Sequence, residues 1–215
     1  RSGATLDAVA MTADLIAVID VGKSNARVAF IDPHTGTEVW RAQRVNQIVS
    51  TPLMRELDIR EIERWLIQTL QRAPDKQRVT AIVPIAHGGA AVLVDHQGAV
   101  VFAPDYEDSR FEDVNERYDA ARDRFEQTFS PSLPLGLNLA RQLYYLQELH
   151  PEAFARVAHI FPYPQYWAWR LSGVLASEVT SLACHSDLWF PRENTFSTLA
   201  RERGWAERFA PVRFA

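Results

Sequence analysis

Cysteine is almost absent from this sequence: Cys184 stands alone among 215 residues. No internal disulfide can form, so burial has to hold the fold, and a single thiol fits a reducing, cytoplasmic setting. No apolar run approaches the roughly 20 residues that a membrane-spanning helix requires, and no membrane association is expected. Residues 1–14 lack the basic-then-apolar order of a secretion signal. They read as a tag or a disordered terminus, with Met11 as a candidate natural start. Charge of one sign is lacking too, since 23 Lys and Arg face 27 Asp and Glu for a net charge of −4. Short basic clusters such as Arg41 with Arg44 fall far short of the concentrated basic face that polyanions need, so nucleic acid is not an expected partner. Internal repeats, low-complexity tracts and the eight-residue glycine–lysine spacing of a Walker loop are also missing. What is present is an ordinary globular balance, 47% hydrophobic and 23% charged. A chain of this length buries roughly 70% of the surface that its unfolded form exposes.

The order of elements can be read from periodicity. Leu15 to Asp20 is a β-branched run stopped by Gly22, Ala26 to Ile31 reads as a second strand, and Glu38 to Val45 as a third after the turn at Asp32 to Gly36. Three consecutive strands joined by tight turns form an antiparallel meander. Asp58, with Glu61 three residues on, caps a helix whose apolar stripe is Ile62, Trp65, Leu66 and Leu70. Arg78 to Ile85 reads as a buried strand and Ala90 to Val94 as another, giving an α/β arrangement with the sheet covered on its faces. From Phe111 onward helices dominate: Leu137 to Leu149, Pro164 to Leu171 closed by Gly173, and Phe196 to Arg203.

The chemistry concentrates in two places. Asp20-Val21-Gly22-Lys23-Ser24-Asn25-Ala26-Arg27 is a hairpin turn that gathers backbone N–H groups, a hydroxyl, an amide and cations in one concavity suited to phosphate. Asp20, at the end of the first strand, offers a carboxylate to Mg²⁺. Gly22 admits close approach, Lys23, Ser24 and Asn25 are donors, and Arg27 can reach back across the hairpin. Taken alone, the turn reads more simply as a plain Asp-x-Gly hairpin with Lys and Arg in solvent. The second place runs from His87-Gly88 through a hairpin to Tyr106-Glu107-Asp108-Ser109-Arg110. Imidazole, carboxylate and guanidinium groups are what a hydroxyl-rich ligand needs, although a turn histidine and a surface Asp–Arg pair would look the same.

The segment Ala17 to Asp32 resembles the first phosphate motif of the FGGY family of carbohydrate kinases, within the superfamily of actin, hexokinase and heat-shock ATPases. Asp20, Gly22, Ser24 and Arg27 fall on that motif, and Lys23 stands where the family usually has Thr. Ile85 to Arg110 is similar to the family's Gln-x-His-Gly strand end followed by an aromatic-x-Asp-x-Arg. Pro164 to Gly173 with Ser177 to Ser181 is similar to its Pro-Lys-Asp-Tyr helix and the Thr-Asp-x-Ser beyond. The resemblance implies a ribonuclease H-like (actin-like ATPase) α/β domain, in which the meander is followed by α/β units and helical insertions. It implies residues 15–215 as the N-terminal, sugar-binding domain of an ATP- and Mg²⁺-dependent kinase whose ATP domain and catalytic Asp lie beyond this stretch. Asp20 is then the metal residue; Gly22, Lys23, Ser24, Asn25 and Arg27 hold phosphate; His87, Gly88, Asp108, Arg110 and His185 hold a small ketose or polyol. His185 and Asp187 border the sugar pocket or merely cap a loop. The Tyr106 to Arg110 stretch is most similar to that of deoxy-ketose kinases. The expected partners are the sugar, the missing domain and a possible second copy in a homodimer, and the isolated chain is expected to be inactive. Two rival readings stand beside this one: a relative that hydrolyses ATP to move its lobes, as actin and chaperones do, and a non-catalytic sugar-sensing module.

Overall fold

A computed structural model describes residues 14–213. The expectations for the first thirteen residues, Met11 included, lie outside the described residues. Strands β1 (Leu15–Val21), β2 (Asn25–Ile31) and β3 (Glu38–Val45) are followed by the short strands β4 (Ile48–Ser50) and β5 (Arg55–Leu57). Helix α1 (Ile59–Arg72) then leads to β6 (Val79–Ala86). The main sheet has the order β3-β2-β1-β6, antiparallel across the first three strands and parallel between β1 and β6. The parallel pairing needs a crossover, which α1 supplies.

Alternation along β1 sets the two faces of this sheet. Leu15, Ala17, Ile19 and Val21 are buried together with Ile59, Ile62 and Leu66 of α1. Ile16 and Val18 point the other way and are only half-buried, and Asp20 is exposed. The side chain of Asp58 starts α1 by accepting the amide of Glu61 at 3.1 Å, so the cap read in the sequence is in place. Two expectations need correction here. Strand β6 is not buried: Ile82, Val83 and Ile85 are 43%, 43% and 49% exposed. It is an edge strand of the described sheet, paired with β1 alone, so one of its ladders lies open. For the same reason the sheet is helix-covered on one face rather than both, with Val83 and Ile85 on the open side.

A second sheet, β8-β7-β9, is built from β7 (Ala91–Val94), β8 (Val100–Phe102) and β9 (His159–Pro162). Every residue of β7 is buried. Val92 and Val94 face the core under the main sheet, while Ala91 and Leu93 face a second, helical core. A strand buried on both faces reads as a continuous apolar run, which accounts for Ala-Val-Leu-Val. The helical core takes residues from α2 (Asn115–Ala121), α4 (Leu139–Leu149) and α5 (Pro151–Phe154), with Trp205 wholly buried in it, while the short α3 (Phe125–Thr128) between α2 and α4 contributes none. Helix α6 (Tyr163–Ser172) returns Tyr166 and Trp167 to the first core and ends at Gly173 with φ +74°, the left-handed cap expected there. After α7 (Val179–Ala183) comes α8 (Thr198–Glu202), two residues later than periodicity placed it. Phe196 pairs with Trp189 as a strand residue, and the Ser197 side chain caps the helix instead.

Gly136 lies where the helical core meets the turn after β6. A Cβ there would stand 2.6 Å from Phe111 Cδ2 and 3.1 Å from Gln142 Cγ. Gly136→Ala should destabilise the chain by about 1–3 kcal/mol, because a fully buried ring has to move. Urea unfolding checks this, and an unchanged midpoint would show that the junction is looser than the contacts imply.

Candidate functional site

The β1–β2 turn is rigidly tied. Gly22 N donates to Asn25 O at 2.9 Å, while Asn46 donates from its backbone to Ser24 O and from Nδ2 to Gly22 O, both at 2.8 Å. Beside it Asp20, Gly22, Ser24, Asn25, Arg27 and Gln43 line one open concavity of about 350 Å³. Register explains the grouping. Gln43, Arg27, Asp20 and Ile85 are successive cross-strand partners over all four strands of the main sheet, so their side chains leave the same face in one row. Arg27 forms an ion pair with Glu38 of β3 and stands opposite Asp20. Lys23 is the exception among the turn residues. Its ammonium turns away from the concavity to Asp105, at 2.7 Å, and to Glu107. Burial works against that charge, but the two carboxylates outweigh it and hold the lysine above its ordinary pKa.

A second hollow, about 450 Å³, opens at the end of the adjacent strand β6. Its lining includes Ile85, Ala86, Gly88 and Gly89, with Gln165 from α6 and Glu178, Thr180 and Ser181 around the start of α7. The Gly88–Gly89 turn is fixed by Gln142, wholly buried on α4, whose Nε2 donates to both Gly89 O and Gly136 O at 2.5 Å. Glu178 caps α7 by accepting Thr180 N at 2.8 Å and Ser181 N at 3.2 Å. Gln165 Oε1 is buried and has no partner among the described residues, which leaves an acceptor available in this lining.

His87 packs between Tyr106 and Tyr163, with ring centroids 5.6 and 4.8 Å away, and its Nδ1 lies 2.9 Å from Gly88 O. Its Nε2 is buried without a partner among the described residues. Burial, helped by nearby Lys23, holds its pKa below the ordinary 6.5, so the ring is neutral at pH 7. Asp108 is 3% exposed and fully engaged. It accepts Arg55 N at 2.6 Å and Arg110 N at 3.1 Å, and binds the Arg110 guanidinium at 2.7 Å. Despite the cost of burial, these partners hold its carboxyl below the usual range. Asp108 thus caps the short turn Ser109–Val114 and holds Arg110, which is more than a surface pair. His185 is exposed at φ +55°, between Cys184 and Ser186 of the second hollow. Asp187 is wholly buried, bound by Tyr118 Oη at 2.5 Å and Arg122 Nη2 at 2.7 Å, so it anchors that loop from inside. The structure brings Gly88 and the neighbours of His185 to one hollow, while His87, Asp108 and Arg110 lie outside its lining.

Sequence reasoning passed over Asp105, Gln142, Gln165 and Gln43. Asp105 and Gln142 act on partners far along the chain, and no local pattern announces them. Gln43 was accessible, because the meander's register places it opposite Arg27.

An α/β domain with two hollows at the ends of neighbouring parallel strands defines a ligand-binding class, since open sheets bind ligands beyond the carboxyl ends of their strands. Residues 15–189 match the FGGY family of carbohydrate kinases, N-terminal domain, and the chain belongs to that family. Curated relatives include rhamnulokinases from Pectobacterium atrosepticum (28% identical, covering 77% of this chain and 35% of the relative) and Yersinia pestis (30% identical, covering 76% and 35%). Among solved structures, a carbohydrate kinase from Novosphingobium aromaticivorans is 42% identical with a TM-score of 0.86, covering 94% of this chain and 42% of that one. The xylulose kinase of Rhodospirillum rubrum, at 18% identity and TM-score 0.80 over 93% of this chain and 43% of that one, shares the fold. The chain therefore spans about a third of the length of the curated relatives it matches.

The neutral histidine can be tested directly. An NMR titration of the His87 imidazole should give a midpoint below 6.5. With its folded pKa depressed, the stability it contributes is present above the unfolded value of about 6.5 and is lost as pH falls below it. A midpoint at or above 6.5 would mean that the ring is solvated.

Proposed function

We propose that this chain is the sugar-binding half of a kinase that transfers the γ-phosphoryl group of ATP to a hydroxyl of a small ketose or polyol. The observation that carries the reading is the adjacency of the two hollows. Asp20, at the first, is the direct partner of Ile85, at the second. Neighbouring strands lie about 4.8 Å apart, so a donor phosphate at one hollow and a hydroxyl at the other come within reach of each other. The main sheet, with its single parallel pairing, supports a ribonuclease H-like (actin-like ATPase) domain.

Within this reading the turn amides, Ser24 and Asn25 hold phosphoryl oxygens, and Arg27 exchanges Glu38 for a more highly charged partner. Among the described residues no three His, Cys, Asp or Glu side chains gather to cage a metal. A single exposed carboxylate beside a phosphate turn fits Mg²⁺, which is commonly held by one or two carboxylates together with substrate phosphates. Asp20 would hold it, and the ion when bound supplies charge neutralisation. The sugar lies in the second hollow, where the Gly88–Gly89 turn, Gln165 and Glu178 offer both donors and acceptors; His87 and His185 each stand one residue from its lining, beside Gly88 and Ser186. Asp108 enters through Arg110, whose guanidinium it orients. Rhamnulokinase relatives and the Tyr106 to Arg110 resemblance favour a deoxy-ketose. Val83 and Ile85, bare on the open sheet face, suit contact with a second lobe that carries the adenosine pocket and the general base.

The test is sugar-dependent turnover of MgATP by the full-length gene product across a panel of ketoses and polyols. Asp20→Asn and Arg27→Ala should each lower kcat about 10²–10³-fold, the usual cost of removing charge stabilisation from a transferring group, while leaving the KM for sugar within threefold. The 215-residue chain alone should show no such turnover. Wild-type kcat in both variants would reduce the turn to a plain hairpin, and robust turnover by the isolated chain would require a base among these residues.

A further inference from the structure

Asp105 is a wholly buried carboxylate on which two distant segments converge. Lys23 of the β1–β2 turn reaches Oδ1 at 2.7 Å, and Arg55 of β5 reaches Oδ2 at 2.8 Å. Glu107 N donates to Oδ1 at 3.1 Å, Asp105 N donates to Arg55 O at 2.9 Å, and Asp108 N donates to Asp105 O at 2.9 Å. Glu107 adds a second carboxylate against Lys23, so two cations and two anions close on one another. A buried carboxylate is tolerated only when it is compensated, and this one is compensated by two cations and by one hydrogen bond, from Glu107 N to Oδ1, while Oδ2 meets Arg55 as an ion pair alone. The Lys23 side chain is 15% exposed, with Nζ 4.9 Å from the centre of the Tyr106 ring, and it is absent from the lining of the turn's own concavity. Were it to swing out to a phosphate, Asp105 would be left buried with Arg55 as its one side-chain cation.

We propose that Lys23 and Asp105 form a buried ionic tether that fixes the phosphate turn to the Tyr106–Arg110 segment, which makes Asp105 a positioning residue and removes Lys23 from the set of phosphate ligands. The inference rests on the proposed kinase reading for its consequence and on geometry for its existence. Asn46 pins the turn from one side through Ser24 O and Gly22 O. The tether pins it from the other, on the side of His87 and Tyr106, whose rings touch. The β1–β6 ladder sets the spacing between the two strand ends, and the ion pair then fixes how the turn beyond β1 sits against the acceptor side of the site. Positioning errors of about 1 Å in such a site can cost on the order of 100-fold in rate.

The test is a double-mutant cycle of Lys23→Met, Asp105→Asn and the pair together, with Lys23→Arg as the conservative control. In the full-length gene product each single variant should lower kcat at least tenfold and leave the KM for MgATP within threefold. The pair should be no worse than the poorer single variant, and Lys23→Arg should restore most of the rate. In the 215-residue chain, hydrogen exchange at the bonded amides of Gly22 and Asn46 should quicken at least tenfold in both single variants. If Asp105→Asn does not fold, Glu107→Gln, at a half-exposed carboxylate, takes its place with a smaller shift of the same kind. A raised KM for MgATP in Lys23→Met alone, or additive losses in the pair, would make Lys23 a phosphate ligand and overturn the tether. Unchanged exchange at both amides would overturn it too. Absence of sugar-dependent turnover in the wild type would instead sink the kinase reading and leave exchange to decide the tether.

Discussion

The register of β1 between its two neighbours is the constraint on which the rest depends. With β2 antiparallel on one side and β6 parallel on the other, Leu15, Ala17, Ile19 and Val21 go under α1, and Asp20 comes out on the open face. A slip of one residue would reverse both. It would bring four apolar side chains into the open and push a carboxylate beneath a helix with no cation to meet it. The hydrophobic pattern of the strand therefore enforces the placement of its one charged residue. That placement lines Asp20 up with Arg27 and Gln43 on one side and with the end of β6 on the other.

The second sheet carries this order into the other half of the molecule. Because β7 is buried on both faces, it cannot shift without disturbing both cores, and the Gly88–Gly89 turn that precedes it is fixed accordingly. Gln142 then locks that turn to α4 from inside the helical core. On the opposite side the ion cluster around Asp105 holds the β1–β2 turn. Two turns at the ends of adjacent strands are thus anchored by buried polar groups, while the surface between them stays open.

Much of this was legible in the sequence, and the failures have identifiable causes. The Asp20 to Arg27 turn could be read because its chemistry is local: glycine, hydroxyl, amide and carboxylate lie within eight residues. The cap at Asp58 and the stop at Gly173 were legible for the same reason. Strand β6 was misread as buried because Val-Thr-Ala-Ile-Val-Pro-Ile has the same apolar character in a core as at an open edge. The pairing of Lys23 was not legible because the carboxylate that meets it, Asp105, lies far along the chain. Asp187 could not be separated from a pocket residue until Tyr118 and Arg122 were seen to close on it.

The central claim is that the β1–β2 turn receives phosphate while the hollow beside Gly88 receives sugar. Amide chemical shifts of the isotope-labelled chain, followed during separate titrations with magnesium pyrophosphate and with L-rhamnulose, test it most directly. The account predicts that pyrophosphate moves the signals of Gly22, Ser24, Asn25 and Arg27, and that the ketose moves those of Gly88, Gly89 and Gln165. Shifts from pyrophosphate that spare the turn, or from both ligands on one common set of residues, would contradict it.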